Sequence, residues 1–524
     1  MKSKINRRDF VGTAAVTGAF TIVPRHVLGG QGFVPPSDKL TMAHIGCGTE
    51  GTRELVAGLL QDPRIQIVAC CDVVKDSQDY LDWGKYAIRS QIRRVLEQPN
   101  YGEGDTGVRA GRDQFQYVVE TYYAKQKGYE NYKGCTAYND FRELLAKEKD
   151  VDCVKIMTPD HLHAHISVAA MKLKKPVLMH KPLANRMNEA RLVIETARQM
   201  NVPTHFMAYS GASSTERIIA AIKEGVIGNL REIHNWTDRP VWPQYTELPK
   251  DRPPVPPGMD WQLWLGPALD RPYHPCYTHM VFRGWYEFGG GTIADVGIYS
   301  LWPVFTALNM GPPISARAWS THTCNVIDHV ANPVENDFAF PTASMIHFEF
   351  APPPGMQPLS LFWYDGGMQP RIPELDSDPA PLPPGGLLYV GDKGKILAAG
   401  RTPLLITEKG SEPLWRETPA SPRGAGAGQA RSSPSAMTPS PANDLWITAF
   451  KGGERSPGDF VNAGPISETV CLAAVALRAG KVKSGVRVYP APVKVLYDSA
   501  NMKITSPADA NKYLTREYRP GWEL

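Results

Sequence analysis

The stretch Cys153–Ala184, CVKIMTPDHLHAHISVAAMKLKKPVLMHKPLA, constrains this chain more than any other part of it. An apolar run, Cys153–Met157, predicts a strand that ends in the polar turn Thr158-Pro159-Asp160-His161. An Ala-rich helical pattern follows, then a second apolar strand, Pro176–Met179, that stops at His180-Lys181-Pro182. Strand, helix and strand of these lengths make a βαβ unit, which sends both strand ends to one edge of a parallel sheet. Ligands of open α/β sheets sit at that carboxyl edge. Thr158 to His163 and His180 to Pro182 are therefore expected to face one site, which gathers an ammonium and several imidazoles.

Upstream, Leu40–Ile45 reads as a buried strand that runs directly into Gly46-Cys47-Gly48-Thr49-Glu50-Gly51. A helical pattern over Thr52–Leu60 follows, then a strand, Ile65–Cys71, that ends at Asp72. In that context G-x-G-x-x-G lets backbone approach a pyrophosphate, whose charge the helix N-terminus stabilises. Alone the motif is weak in a chain with 46 glycines; between strand and helix, with an acid closing the next strand, it reads as a dinucleotide site. Asp72 can accept hydrogen bonds from the ribose hydroxyls and would repel a 2′-phosphate, which favours NAD. Lys75 lies close enough to leave NADP possible.

These motifs, with DWQLWLGPA at 260–268, FRGWYEFGGGTIADVGIY at 282–299 and PGDFVNAGPISETV at 457–470, resemble the glucose–fructose oxidoreductase / inositol dehydrogenase / MocA (Gfo/Idh/MocA) family. The resemblance covers nearly the whole mature chain and extends to the exported, twin-arginine branch. It implies an α/β fold: an N-terminal Rossmann dinucleotide-binding domain and a C-terminal α/β domain whose open, mostly antiparallel sheet covers the nicotinamide. It also implies a catalytic lysine in an E-K-P motif, which falls on Lys181. Two positions depart from the pattern. The Glu of E-K-P is His180, and the proton-transferring His of D-x-x-x-H is replaced in Asp295-Val296-Gly297-Ile298-Tyr299 by Tyr299.

The chain has 524 residues, enough for two ordinary domains with additions. Its net charge of +4, with signs mixed along the sequence, argues against nucleic acid as the main partner. Residues 1–35 read as a targeting segment: Lys2, Lys4, Arg7 and Arg8 precede an apolar run, Phe10 to Val23, too short for a membrane span. Arg7-Arg8-Asp9-Phe10 fits twin-arginine export, hence a periplasmic protein whose mature chain has no membrane span. That route carries folded proteins, so the cofactor is expected to be loaded before export and held tightly. Residues 36–183 are read as the Rossmann domain and 184–524 as the substrate and oligomerisation domain of a homo-oligomer, with a flexible loop at 417–443. The eight Cys show no metal-ligand spacing, and no metal is expected.

Lys181, fixed by Pro182 at a strand end, is the first catalytic candidate: partly desolvated, it can donate to a substrate hydroxyl or exchange a proton with it. Asp295 and Tyr299 share a helix face, and Tyr299 is the candidate proton acceptor if Lys181 lowers its pKa; His163 is the alternative. The cofactor candidates are residues 46–51, Asp72, Thr158, Pro159, His161, His180 and Lys181. Zinc is a poor match for His161, His163 and His165, because on a helix only positions 161 and 165 share a face. Arg283, Trp285, Tyr286 and Trp236 are read as sugar contacts, through stacking on a pyranose face and a forked guanidinium. The expected activity is hydride transfer between a sugar or glycoside carbinol and a bound nicotinamide cofactor. The alternatives are a redox-assisted glycosidase of the same fold and a nucleotide-binding protein that has lost turnover.

Overall fold

The computed structural model describes residues 38–208, 214–352, 355, 357–376, 380–400, 402–415, 441–484 and 487–524. The segment read as a targeting signal and nearly all of the loop expected at 417–443 lie outside the described residues. Residues 441–443 do not belong to a loop; they open the helix Pro441–Phe450.

The first sheet has six parallel strands: β1 (Leu40–Ile45), β2 (Ile65–Cys71), β3 (Thr136–Tyr138), β4 (Cys153–Ile156), β5 (Val177–Met179) and β6 (Thr204–Phe206). Their spatial order is 3-2-1-4-5-6, the doubly wound arrangement in which the chain reverses between β1 and β4. Helices cover both faces, so β4, β5 and β6 are buried along their whole length, Lys155 and His205 included. β6 pairs in parallel with β5. The dinucleotide domain therefore does not stop at residue 183: a further crossover through helix Met187–Met200 adds a sixth strand.

The insertion between β2 and β3 holds helices Ala87–Leu96 and Arg112–Lys127. Beside them Ser77–Tyr80 pairs with Val108–Ala110 as a two-stranded ribbon.

The second sheet has ten strands. Its centre is β7 (Leu230–Trp236), β8 (Pro313–Ser320), β9 (Ser344–Phe350), β10 (Leu359–Tyr364) and β11 (Gly386–Gly391). All its pairings are antiparallel except β7 with β10. Burial alternates along β9 and β10, as a sheet covered on one face requires. The covered face packs on helices Ile298–Leu308 and Gly464–Ala479 in one apolar core. Helix Gly464–Ala479 also packs against Met187–Met200 of the first domain, which ties the two sheets together. Asp392-Lys393-Gly394 turns the hairpin that follows β11, with Gly391 N donating to Gly394 O at 2.9 Å.

Candidate active site

The glycine loop follows β1. Gly46 adopts φ +101°, and a Cβ there would lie 2.5 Å from the Met157 backbone. A Cβ on Gly51 would lie 2.0 Å from Gly46 O, so the helix can start this close to the strand only with glycine at that position. Gly48 caps the helix without a side chain, which leaves the first-turn amides free for an anion. Asp72 Oδ2 accepts the Cys47 N–H at 2.6 Å and Oδ1 accepts the Val74 N–H at 2.9 Å, so the acid also holds the loop against the end of β2. Burial raises the Asp72 carboxyl, and these two amides work against that rise.

Above the loop lies a cavity of about 1090 Å³, lined on one side by Gly46, Gly48, Thr49, Glu50, Gly51, Asp72, Thr158, Pro159 and His180. The facing wall comes from Tyr80, Leu81 and Trp83 of the insertion, from His279, Met280, Phe282 and Arg283, and from Trp522 near the C-terminus. Thr158 Oγ1 is buried with no partner among the described residues, at the place where the βαβ reading puts a cofactor contact. The glycine cradle, the acid at the strand end and this orphaned hydroxyl together fit a dinucleotide.

At one end of the cavity three charged side chains from both domains meet. Lys181 Nζ donates to Asp295 Oδ1, and Arg283 Nε approaches the same oxygen at 3.0 Å. All three are buried or nearly so. Asp160 joins from the end of β4, its Oδ2 accepting the Gly290 N–H at 3.0 Å. Burial pulls the Lys181 ammonium down, and Asp295 only partly offsets it. Burial would push Asp295 up, but Lys181 and Arg283 overcome it and hold the carboxyl below the usual carboxylate range. Asp295 is thus ionised between two cations, and Lys181 is primed to release a proton.

Tyr299 was expected to become acidic beside Lys181, and the structure reverses that. Burial raises the phenol, and Asp295 adds to the rise, because the Lys181 charge is already matched by that carboxylate. The Tyr299 hydroxyl bonds not to Asp295 but to His180 Nε2, at 2.8 Å.

His163 was the alternative proton acceptor, but both its ring nitrogens are taken by backbone carbonyls. Nδ1 lies 2.5 Å from Pro182 O and Nε2 lies 2.9 Å from Thr158 O. It pins together the two loops that carry the site, and both its nitrogens face those carbonyls and not the cavity. His161 does not reach the cofactor either: it faces the second domain, with Nε2 2.9 Å from Trp264 O and its ring against Trp264 and Phe288. His165 Nε2 lies 2.7 Å from Trp522 O, so the three imidazoles serve three separate contacts. Among the described residues no group of three or more His, Cys, Asp or Glu is placed to hold a metal ion.

Three of the four expected sugar contacts are core residues. Trp236 is 1% exposed in an apolar cluster under the second sheet, and its Nε1 donates to Pro383 O at 2.9 Å. Trp285 is equally buried, stacks on Tyr245 and donates to Cys276 O at 2.7 Å. Tyr286 packs on Phe340, with ring centroids 4.1 Å apart. Only Arg283 reaches the cavity. The Cys47 side chain is buried under the loop, so that residue serves through its amide alone.

The sequence reading placed Asp160 at the site without a role for it, and did not single out Tyr80, Leu81, Trp83, His279 or Met280. The run Asp79-Tyr80-Leu81-Asp82-Trp83, apolar and aromatic inside an otherwise polar insertion, was the available signal.

Comparison with known families matches residues 83–208 to the Gfo/Idh/MocA "oxidoreductase family, NAD-binding Rossmann fold" and residues 225–315 to the same family's "C-terminal alpha/beta domain". Both domains thus match models of the Gfo/Idh/MocA family. Its first domain is accordingly an NAD-binding domain. Among curated members, the levoglucosan dehydrogenase of Pseudarthrobacter phenanthrenivorans is 30% identical over 109 residues, 20% of this chain and 26% of that protein. The 2,7-anhydro-N-acetylneuraminate hydratase of Escherichia coli is 32% identical over 106 residues, 19% of this chain and 27% of that protein. These matches thus span only about a quarter of each relative's length. Among solved structures, the WlbA dehydrogenase of Chromobacterium violaceum in complex with NADH and UDP-GlcNAcA is 14% identical with a TM-score of 0.48, covering 87% of this chain and 97% of that one. Among the described residues no helix is long and apolar enough to cross a membrane.

Proposed function

We propose that this Gfo/Idh/MocA protein is an NAD-dependent oxidoreductase that moves hydride between a sugar or glycoside carbinol and a tightly held nicotinamide. The observation that carries the reading is the buried Lys181–Asp295–Arg283 cluster at the end of the dinucleotide cavity. The loop at residues 46–51, Asp72 and Thr158 would hold the cofactor, which when bound accepts or returns the hydride. Lys181 donates to the carbinol oxygen, and its lowered affinity for the proton lets it follow the change in charge there. Asp295 fixes the ammonium in place, and Arg283 lies where it can bond a neighbouring hydroxyl.

A redox-neutral variant of this chemistry has support of its own: one relative is named a hydratase, an activity with no net oxidation. In that variant oxidation at one carbon acidifies the adjacent C–H, elimination breaks the glycosidic bond, and the hydride is returned. The test is to mix NAD-loaded protein with levoglucosan, with 2,7-anhydro-N-acetylneuraminate and with a panel of glycosides. Accumulation of reduced nicotinamide supports the dehydrogenase, and conversion without it supports the redox-neutral variant. Neither outcome with any sugar refutes both. Export belongs to the same proposal and rests on Arg7, Arg8 and the apolar run to Val23. Arg7→Lys with Arg8→Lys is expected to leave folded, cofactor-loaded protein in the cytoplasm, and unchanged export would refute it. Self-association into a homo-oligomer completes the proposal. Sedimentation measures it, and a monomer at working concentration would refute it.

A further inference from the structure

Away from the charged cluster the cavity lining turns apolar, with Phe141, Leu162, Ile166, Leu263, Trp264 and Trp522. Asp72 N donates to Tyr138 O at 3.1 Å, so the start of helix Phe141–Lys147 lies beside the acid expected to bind ribose. Trp522 reaches this region by a tight turn. Its N–H donates to Arg519 O at 3.0 Å, and between them Pro520 is followed by Gly521 at φ +82°, the residue order of a type II turn. The indole then packs beside Phe141, with the Arg142 guanidinium 4.7 Å from its ring. The chain around it is fastened to both domains without help from the indole. On the first domain, Arg516 Nε pairs with Glu189 Oε1 at 2.7 Å, both side chains buried, and His165 Nε2 lies 2.7 Å from Trp522 O. On the second, Arg519 N donates to Pro267 O at 3.1 Å and Arg516 Nη1 to Glu287 O at 3.3 Å.

We propose that residues 514–524 form a strap across the adenine end of the cavity, with Trp522 as the wall on which the adenine packs, and that this strap makes the dinucleotide slow to leave. The proposal rests on the reading above of a tightly held nicotinamide dinucleotide. Adenine is flat with two π faces, and an apolar pocket carrying aromatic rings suits it where a polar one does not. Asp72 takes the adjoining ribose, so the two contacts together would hold the adenosine half while the nicotinamide half stays free to react beside Lys181. Release then requires the adenosine half to slip past the strap or the strap to lift. Lifting is opposed by the Arg516–Glu189 pair, because separating it strands a charge in a buried place. Trp522 is therefore a cofactor-holding residue, and Arg516 positions it by anchoring the segment that carries it.

The test times the loss of bound NADH fluorescence when NADH-loaded protein is mixed with excess NAD. Trp522→Ala is expected to release NADH about tenfold or more faster than wild type, the usual worth of one base stacked on an aromatic ring. Trp522→Phe, which keeps an aromatic face, should recover most of the difference. Where Trp522→Ala does not fold, Trp522→Leu keeps apolar bulk, loses the π face and reads the same effect. Reduced nicotinamide mononucleotide, which has no adenine, separates holding from mere support of the fold: its affinity should stay within about twofold in the same variants. Unchanged NADH release without the Trp522 ring would overturn the proposal. So would a mononucleotide affinity that falls as far as that for NADH, since a tryptophan that only props the fold weakens both. Wild-type protein that holds NADH yet converts no sugar sinks the oxidoreductase reading and leaves the strap to stand on its release rates. Wild-type protein that holds no NADH overturns the strap itself.

Discussion

Asp295→Asn tests the electrostatic core of the site. The substitution keeps the shape of the side chain and removes the charge that stands against Lys181 and Arg283, all of them at least mostly buried. Leaving a buried cation uncompensated costs about 3–5 kcal/mol. Two cations lose their counterion here, and Asn can still accept one hydrogen bond, so a loss of about that size is expected. The pH dependence separates this cause from simple misfit. Burial already holds the folded Lys181 pKa below its unfolded value, and removing Asp295 lowers it further. Between the folded and unfolded values the unfolded chain binds more protons, so stability rises with pH across that window, which in the variant starts lower. The deficit is therefore full below the variant's Lys181 pKa and shrinks as pH rises toward the wild-type value, by up to ~1.4 kcal/mol per pH unit. Part of it persists at every pH, because Arg283 stays charged. Urea denaturation of both proteins at about pH 6 and about pH 9 measures the effect. Equal stability, or a deficit that does not change with pH, would refute the reasoning.

Asp72→Ala removes the acceptor of two loop amides together with the carboxylate at the cavity edge, so NAD affinity is expected to fall about tenfold or more and the preference over NADP to relax. Calorimetric titration with both cofactors decides it; wild-type protein that binds NADP more tightly than NAD would contradict the role given to Asp72. Trp236→Ala should cost about 3–5 kcal/mol of stability while leaving sugar KM within about twofold, since the ring is core and not cleft. A large KM change at unchanged stability would return Trp236 to the substrate site.

Both sheets were legible in the sequence because their burial differs. β5 reads as an unbroken apolar run and β4 as one broken only by Lys155, while β9 and β10 alternate, and each pattern is what the covering of that sheet demands. The glycine loop, Asp72 and Lys181 were legible for the same reason: strand ends and backbone close approach leave a signature in residue type and order. The strand at Thr204–Phe206 was read as part of the second domain because it lies beyond a motif that seemed to close the first. The roles of the aromatic residues were not legible. Trp285 and Tyr286 are neighbours of Arg283 in sequence, yet only the arginine faces the cavity, and which side chain turns inward is settled by packing against Tyr245 and Phe340. The same holds for His163. Nothing in its spacing tells that two carbonyls, one from a loop 19 positions away, will occupy both nitrogens. The Tyr299–His180 contact spans 119 positions and two domains, so nothing in residue spacing tells that these two departures from the family pattern bond to each other.

The central claim, hydride transfer at the end of the dinucleotide cavity beside Lys181, is tested most directly by following the hydride itself. NAD-loaded protein is mixed with levoglucosan carrying deuterium on its ring carbons, denatured at once, and the released cofactor is weighed by mass spectrometry. The account predicts reduced nicotinamide one deuteron heavier than the unlabelled control, present in wild type and reduced by about 10²-fold or more in Lys181→Ala. The same experiment on the other carbohydrates of the panel covers a different choice of sugar. Cofactor that never gains deuterium from any of them, in protein shown to be loaded with NAD, would contradict it.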